Sequence, residues 1–66
     1  MNGLRCRVSV VIKALNEEAN IAAAIESCLV ALDEVGGEVI LADSASTDRT
    51  VEVGRRYPVR IVQLAR

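Results

Sequence analysis

Two short stretches carry the side chains that could do chemistry. One is Lys13-Ala14-Leu15-Asn16-Glu17-Glu18, the other Asp43-Ser44-Ala45-Ser46-Thr47-Asp48. Asp43 is the most informative residue, because it closes the apolar run Glu38 to Ala42. A carboxylate at the end of an apolar strand needs partners. It can accept N–H bonds from a nucleobase edge or hydroxyl bonds from a ribose. It can equally take backbone N–H groups of its own loop in an Asx-turn. Asp48 reads as a dipole-compensating cap in the first turn of a helix. Lys13 reads as a solvated lysine at a strand end. No catalytic or metal-binding residue is assigned from these two stretches.

These stretches need elements to hold them. Arg7 to Lys13 is a near-continuous β-branched run, the pattern of a strand buried on both faces. Asn16 offers an N-cap, with Glu17 and Glu18 in the first helical turn. Ile21, Ala24, Ile25, Cys28, Leu29 and Leu32 then form one apolar stripe on a helix of about four turns. Gly36-Gly37 ends this unit with an αL-capable pair. Glu38 to Ala42 is a second buried strand. Ser46 or Thr47 caps a short helix from Arg49 to Arg56, on which Glu52 can pair with Arg55 or Arg56. Tyr57-Pro58 stops it, and Val59 to Leu64 is a third strand, nearer an edge. The order predicts an α/β fold. It is a β-α-β-α-β parallel three-stranded half of a doubly wound, Rossmann-like sheet, with the second strand in the middle. Ligands of such sheets bind beyond the carboxyl ends of the strands, where both polar stretches lie.

Size and composition narrow the function classes. With 66 residues, one small domain is the ceiling. A 52% hydrophobic content excludes disorder. No apolar run approaches the ~18 residues of a membrane span, and the start of the chain lacks the pattern of a signal peptide. Eight basic and nine acidic residues give no electrostatic case for nucleic acid. There is no His, and Cys6 and Cys28 stand apart without a CxxC motif. They read as reduced, buried thiols. The expected setting is the cytoplasm or the cytoplasmic face of the inner membrane.

Val8 to Ile21 (VSVVIKALNEEANI), followed by Glu38 to Val53 (EVILADSASTDRTVEV), resembles the amino-terminal segment of family 2 glycosyltransferases. These are inverting, sugar-nucleotide-dependent enzymes of GT-A fold. Asn16, Glu17, Glu18, Asp43, Ser46, Asp48 and Thr50 fall on that family's two motifs, and the likeness runs to about Leu64. The resemblance implies that Asp43 bonds the base while Ala14, Leu15 and Glu17 line the nucleoside pocket, with Lys13 and Ser44 as adjoining candidates. It implies a nucleotide-sugar donor, UDP-sugar first, and a divalent cation (Mn²⁺ or Mg²⁺) in the intact enzyme. The acidic metal motif and the base of the family lie further along than Arg66. Residues 1–66 are therefore expected to be one partial domain, inactive alone, with any membrane association outside it. The chain departs from the pattern at three positions. Lys13 stands for proline, Leu15 for an aromatic, and Ala45 for glycine, where αL backbone costs ~1 kcal/mol.

Other classes fit less well. A dinucleotide-binding domain needs glycines in its first turn, and this turn has none. A phosphoacceptor receiver needs acidic residues where Lys13 stands. A non-catalytic nucleotide-binding or protein-interaction fragment is the alternative. With only three strands, strand one becomes an apolar edge, so self-pairing through that edge is expected, as a homodimer or, alternatively, as open-ended aggregation.

Overall fold

The computed structural model describes residues 8–64. Strand β1 (Ser9–Ala14), helix α1 (Ile21–Leu32), strand β2 (Glu38–Asp43), helix α2 (Thr50–Gly54) and strand β3 (Arg60–Gln63) follow one another. The sheet order is β1-β2-β3, and both pairings are parallel. The expected α/β half-sheet, with β2 central, is the fold. Ala14 pairs with Asp43 and Asp43 with Gln63, so the three carboxyl ends finish level.

Side chains alternate across each strand. Val39, Leu41 and Asp43 of β2 point to the helical side and are almost fully buried. Ala14, Ile21, Ile25 and Leu41 form the core, with Ile12, Leu29, Val53, Tyr57, Val59 and Ile61 packed around them. Full burial of a side chain such as Ile25 or Leu41 contributes roughly 1.5–3 kcal/mol. Helix α2 sits close on the sheet because it ends in Gly54. A Cβ there would lie 2.5 Å from the Leu41 side chain.

The two helices touch each other and both touch β2, so they cover one face of the sheet. Right-handed crossovers on a 1-2-3 strand order produce this arrangement. Ser9, Val11, Lys13, Ile40, Ala42, Arg60 and Val62 occupy the other face, which no described element covers. The expectation that β1 is buried on both faces is thereby corrected: Val11 is 55% exposed. At one end of this face Glu38 accepts the Ser9 hydroxyl at 3.0 Å and lies 3.6 Å from Arg60.

Several boundaries shift for local reasons. β1 extends to Ala14, whose carbonyl accepts the Ser44 N–H at 2.8 Å; Arg7 and Cys6 lie outside the described residues. Helix α1 has 12 residues, so it is shorter than expected. It starts at Ile21 with Asn20 at the cap position and no acidic residue in its first turn. Asn16 is therefore not its N-cap. The stripe holds except at Ala24, which is exposed, and Cys28 is a free thiol of intermediate burial. Gly36 takes the αL role with φ +74°, its N–H bonded to the Leu32 carbonyl. Helix α2 has five residues, and its last turn unwinds through Arg55 and Arg56 to Tyr57. Glu52 makes no ion pair with either arginine. Among the described residues the ion pair is Glu38 with Arg60. The Tyr57 hydroxyl instead donates to Glu26 at 2.7 Å, tying this turn to α1. That bond raises the Tyr57 pKa above its ordinary 10.0, with burial and the Glu26 charge adding to it.

Candidate functional site

Two loops meet at the carboxyl edge of the sheet, residues 15–20 after β1 and residues 44–49 after β2. Each leaves backbone N–H groups without a helical or sheet partner, and each satisfies them with side chains of the other. Asn16 N–H donates to Ser46 Oγ at 2.9 Å. Glu17 N–H donates to Thr50 Oγ1 at 2.8 Å, and Glu18 N–H to Asp48 Oδ2 at 3.1 Å. In return Asn16 Oδ1 accepts the N–H of Thr47 at 2.8 Å and of Asp48 at 3.3 Å. Glu18 Oε1 accepts the Arg49 N–H at 3.2 Å. This exchange explains why α1 starts late: residues 16–18 are held across the cleft to the second loop. Asn16 carries φ +54°, a conformation asparagine tolerates better than most residues.

Asp43 ends β2 with 1% of its surface exposed. Its Oδ2 accepts the Ser46 N–H at 2.9 Å, and its Oδ1 accepts the Ser46 hydroxyl. The backbone is gripped on both sides, with Ser44 N–H on the Ala14 carbonyl and Leu64 N–H on the Asp43 carbonyl at 2.7 Å. The Asx-type bonding considered for Asp43 is therefore present. A carboxylate has about four acceptor sites, so two bonds leave capacity for a further donor. The turn that follows passes through Ala45 at φ +61°, the strained αL position anticipated where glycine is usual.

Thr50 is fully buried and joins three segments. Its hydroxyl accepts from Glu17 and donates to Asp48 Oδ1, and its N–H donates to the same Oδ1 at 2.9 Å. Asp48 thus caps α2 from two residues before it rather than from within the first turn, and neither Ser46 nor Thr47 caps that helix. The Thr50 hydroxyl is the main cause that holds the Asp48 carboxyl below its ordinary pKa. Backbone N–H groups assist, and partial burial opposes. Among the described residues no buried side-chain polar atom lacks a partner.

Ala14, Ser44 and Asp43 come together at the β1–β2 pairing, with Ala14 and Asp43 buried and Ser44 half-buried. Leu15 stands beside them, 49% exposed, so its side chain is available to a flat apolar ligand. Glu17 joins the loop contact through its backbone, which leaves its exposed carboxylate outside the network. Lys13 points to the uncovered face, away from the Asp43 side. Sequence reasoning placed Asn16, Ser46, Asp48 and Thr50 on a motif but did not foresee that they bind one loop to the other. The available signal was an asparagine in a tight turn, matched by hydroxyl residues at similar distance after β2. Two shallow depressions lie along the outer side of α1, lined by Leu29, Val30, Asp33 and Glu34 and by Ala23, Glu26, Ser27 and Val30. Neither touches the loops. Among the described residues no group of three or more His, Cys, Asp or Glu side chains is gathered to hold a metal.

The profile of glycosyl transferase family 2 matches residues 9–66, which takes in all five elements and both loops. No curated protein and no solved structure matched the chain. With its motifs, its parallel half-sheet and a family match along nearly its whole length, the chain belongs to glycosyl transferase family 2.

Proposed function

We propose that this chain is the nucleoside-binding part of an enzyme that transfers a sugar from a nucleotide-sugar donor to an acceptor. The observation that carries the reading is Asp43, a nearly buried carboxylate held at the carboxyl edge beside Ala14 and exposed Leu15. In this reading Asp43 accepts an N–H of the base, Leu15 and Ala14 give apolar contact, and Glu17 and Ser44 border the nucleoside. Lys13 serves a diphosphate only if the ligand curls over the sheet edge. UDP is the first nucleotide to test. Family 2 enzymes typically use a divalent cation. The described residues do not fit one, so nothing in the proposal depends on a metal held here, and residues 1–66 alone are expected not to transfer sugar. The free thiol of Cys28 suits a cytoplasmic setting, in solution or on the inner face of the membrane. The β1 edge, unpaired among the described residues, supports self-association of the isolated chain, which sedimentation at micromolar concentration tests.

Titration of the protein with UDP, with and without Mn²⁺, decides between the main readings. Metal-independent binding that weakens roughly tenfold or more in Asp43→Asn supports a nucleoside half-site, since a charge-assisted bond contributes about 1.5–3 kcal/mol. Equal binding by both proteins would return Asp43 to a purely loop-holding role. The competing reading, a non-catalytic interaction fragment, draws on the bonds Ser46 already makes to both Asp43 oxygens. Absence of any nucleotide binding would favour it.

A further inference from the structure

We propose that Asn16 is a positioning residue: its side chain locks the two loops together by holding Thr47 and Asp48, and this lock keeps Ser46, which the Asn16 backbone N–H also contacts, in place to orient the Asp43 carboxylate. The inference rests on the nucleoside-binding reading only for its consequence on affinity. Asn16 reaches the second loop in both directions. Its N–H donates to Ser46 Oγ, and Ser46 Oγ–H in turn donates to Asp43 Oδ1. Its Oδ1 accepts Thr47 N–H and Asp48 N–H, with the Thr47 hydroxyl at 3.4 Å. One residue thus supplies an acceptor for two consecutive backbone donors and a donor for the hydroxyl that orients Asp43. These contacts bridge more than thirty positions in sequence, so the chain itself does not enforce them. The positive φ of Asn16 is what aims both its N–H and its side chain at the same neighbour.

Without the Oδ1 acceptor, Thr47 and Asp48 N–H groups turn to water, and the loop carrying Ser46 samples open positions. Asp43 then spends less time in the orientation it holds here. If the closed loop falls to about a tenth of the population, ligand affinity falls about tenfold in proportion.

Asn16→Gly tests this, because glycine keeps the positive φ and removes only the side chain. Asn16→Asp restores an acceptor of the same shape. The probe is UDP, read by titration, together with amide exchange at Thr47 and Asp48 and the carboxyl-carbon resonance of Asp43. In Asn16→Gly the expected result is about tenfold faster exchange at both amides, a displaced Asp43 resonance and about tenfold weaker UDP binding. Asn16→Asp is expected to recover all three to within about threefold. Unchanged exchange and an unchanged Asp43 resonance in Asn16→Gly would overturn the inference, as would equal UDP affinity in a wild type that binds UDP. A wild type that does not bind UDP, with the exchange and resonance changes present, refutes a uridine pocket and upholds the lock. Should Asn16→Gly fail to fold, Ser46→Ala removes the hydroxyl that joins the Asn16 N–H to Asp43 Oδ1 and leaves the Ser46 N–H on Asp43 Oδ2, and an unmoved Asp43 resonance there overturns the inference.

Discussion

Replacing Thr50 by valine keeps the shape of a fully buried side chain and deletes its hydroxyl. Two bonds go with it. The Glu17 N–H loses its acceptor at 2.8 Å and meets a methyl group instead. An unpaired donor of this kind costs ~1–3 kcal/mol. The other bond, to Asp48, is left out of this sum, because that carboxylate is exposed and water replaces most of what the hydroxyl gives it; what is left shows only as a dependence on pH. In a domain of this size each kcal/mol shifts Tm by about 4–8 °C, so Thr50→Val is expected to melt roughly 5–20 °C lower. Thr50→Ser separates the causes, since it keeps the hydroxyl and loses a methyl worth ~1 kcal/mol. Thermal melts followed by circular dichroism give the order wild type, serine, valine. The pH profile supplies a second signature. Asp48 has a lowered pKa in the folded state, so its contribution is present above the unfolded value of 3.8 and fades as pH falls through the folded value. Thr50 is the main cause of that lowering, so the gap between wild type and Thr50→Val is expected to narrow on acidification. A valine variant as stable as wild type, or a serine variant less stable than valine, would refute the reasoning that the hydroxyl holds the loops.

Gly54→Ala is expected to lose ~1–3 kcal/mol by overpacking, because the new Cβ would press on Leu41 in the core; denaturant titration measures it. Ala45→Gly relieves a residue at φ +61° and is expected to gain about 0.5 kcal/mol once the greater freedom of the unfolded glycine is offset; a loss of stability would contradict that. Tyr57→Phe is expected to be slightly less stable than wild type at neutral pH. Because folding raises the Tyr57 pKa, this advantage of the wild type is full below the ordinary value of 10.0 and disappears as pH rises through the folded value. Melts at neutral and strongly alkaline pH check it.

The elements were readable because their signals are local. The β-branched run before Lys13, the aliphatic stripe from Ile21 to Leu32 and the stop at Tyr57-Pro58 each report a backbone preference that the fold agrees with. Three features were not local and escaped. Asn16 has the side chain of an N-cap, yet its partners are thirty positions away on the other loop. The full burial of Thr50 follows from where Glu17 and Asp48 come to rest, and nothing in its neighbours announces it. The bare face of the sheet is a property of strand order, because β1 carries β-branched residues at Val10, Val11 and Ile12 whether one side or both are covered. Asp43 lies between these cases. Its place at the end of β2 was legible, while its capture by Ser46 depended on the turn at Ala45.

The one-sided sheet also shapes how the chain reaches its fold. Ser9 must find Glu38, and Ile40 must find Arg60, each across a helix, so no tight hairpin can nucleate the strands. Topologies built on such distant pairings fold slowly, because loop closure is paid before any contact rewards it. During that wait, and after the sheet forms, no element among the described residues packs over Val11, Ile40 and Val62. Refolding therefore becomes a race between closing the crossovers and meeting another chain, and the recovered yield should fall as protein concentration rises.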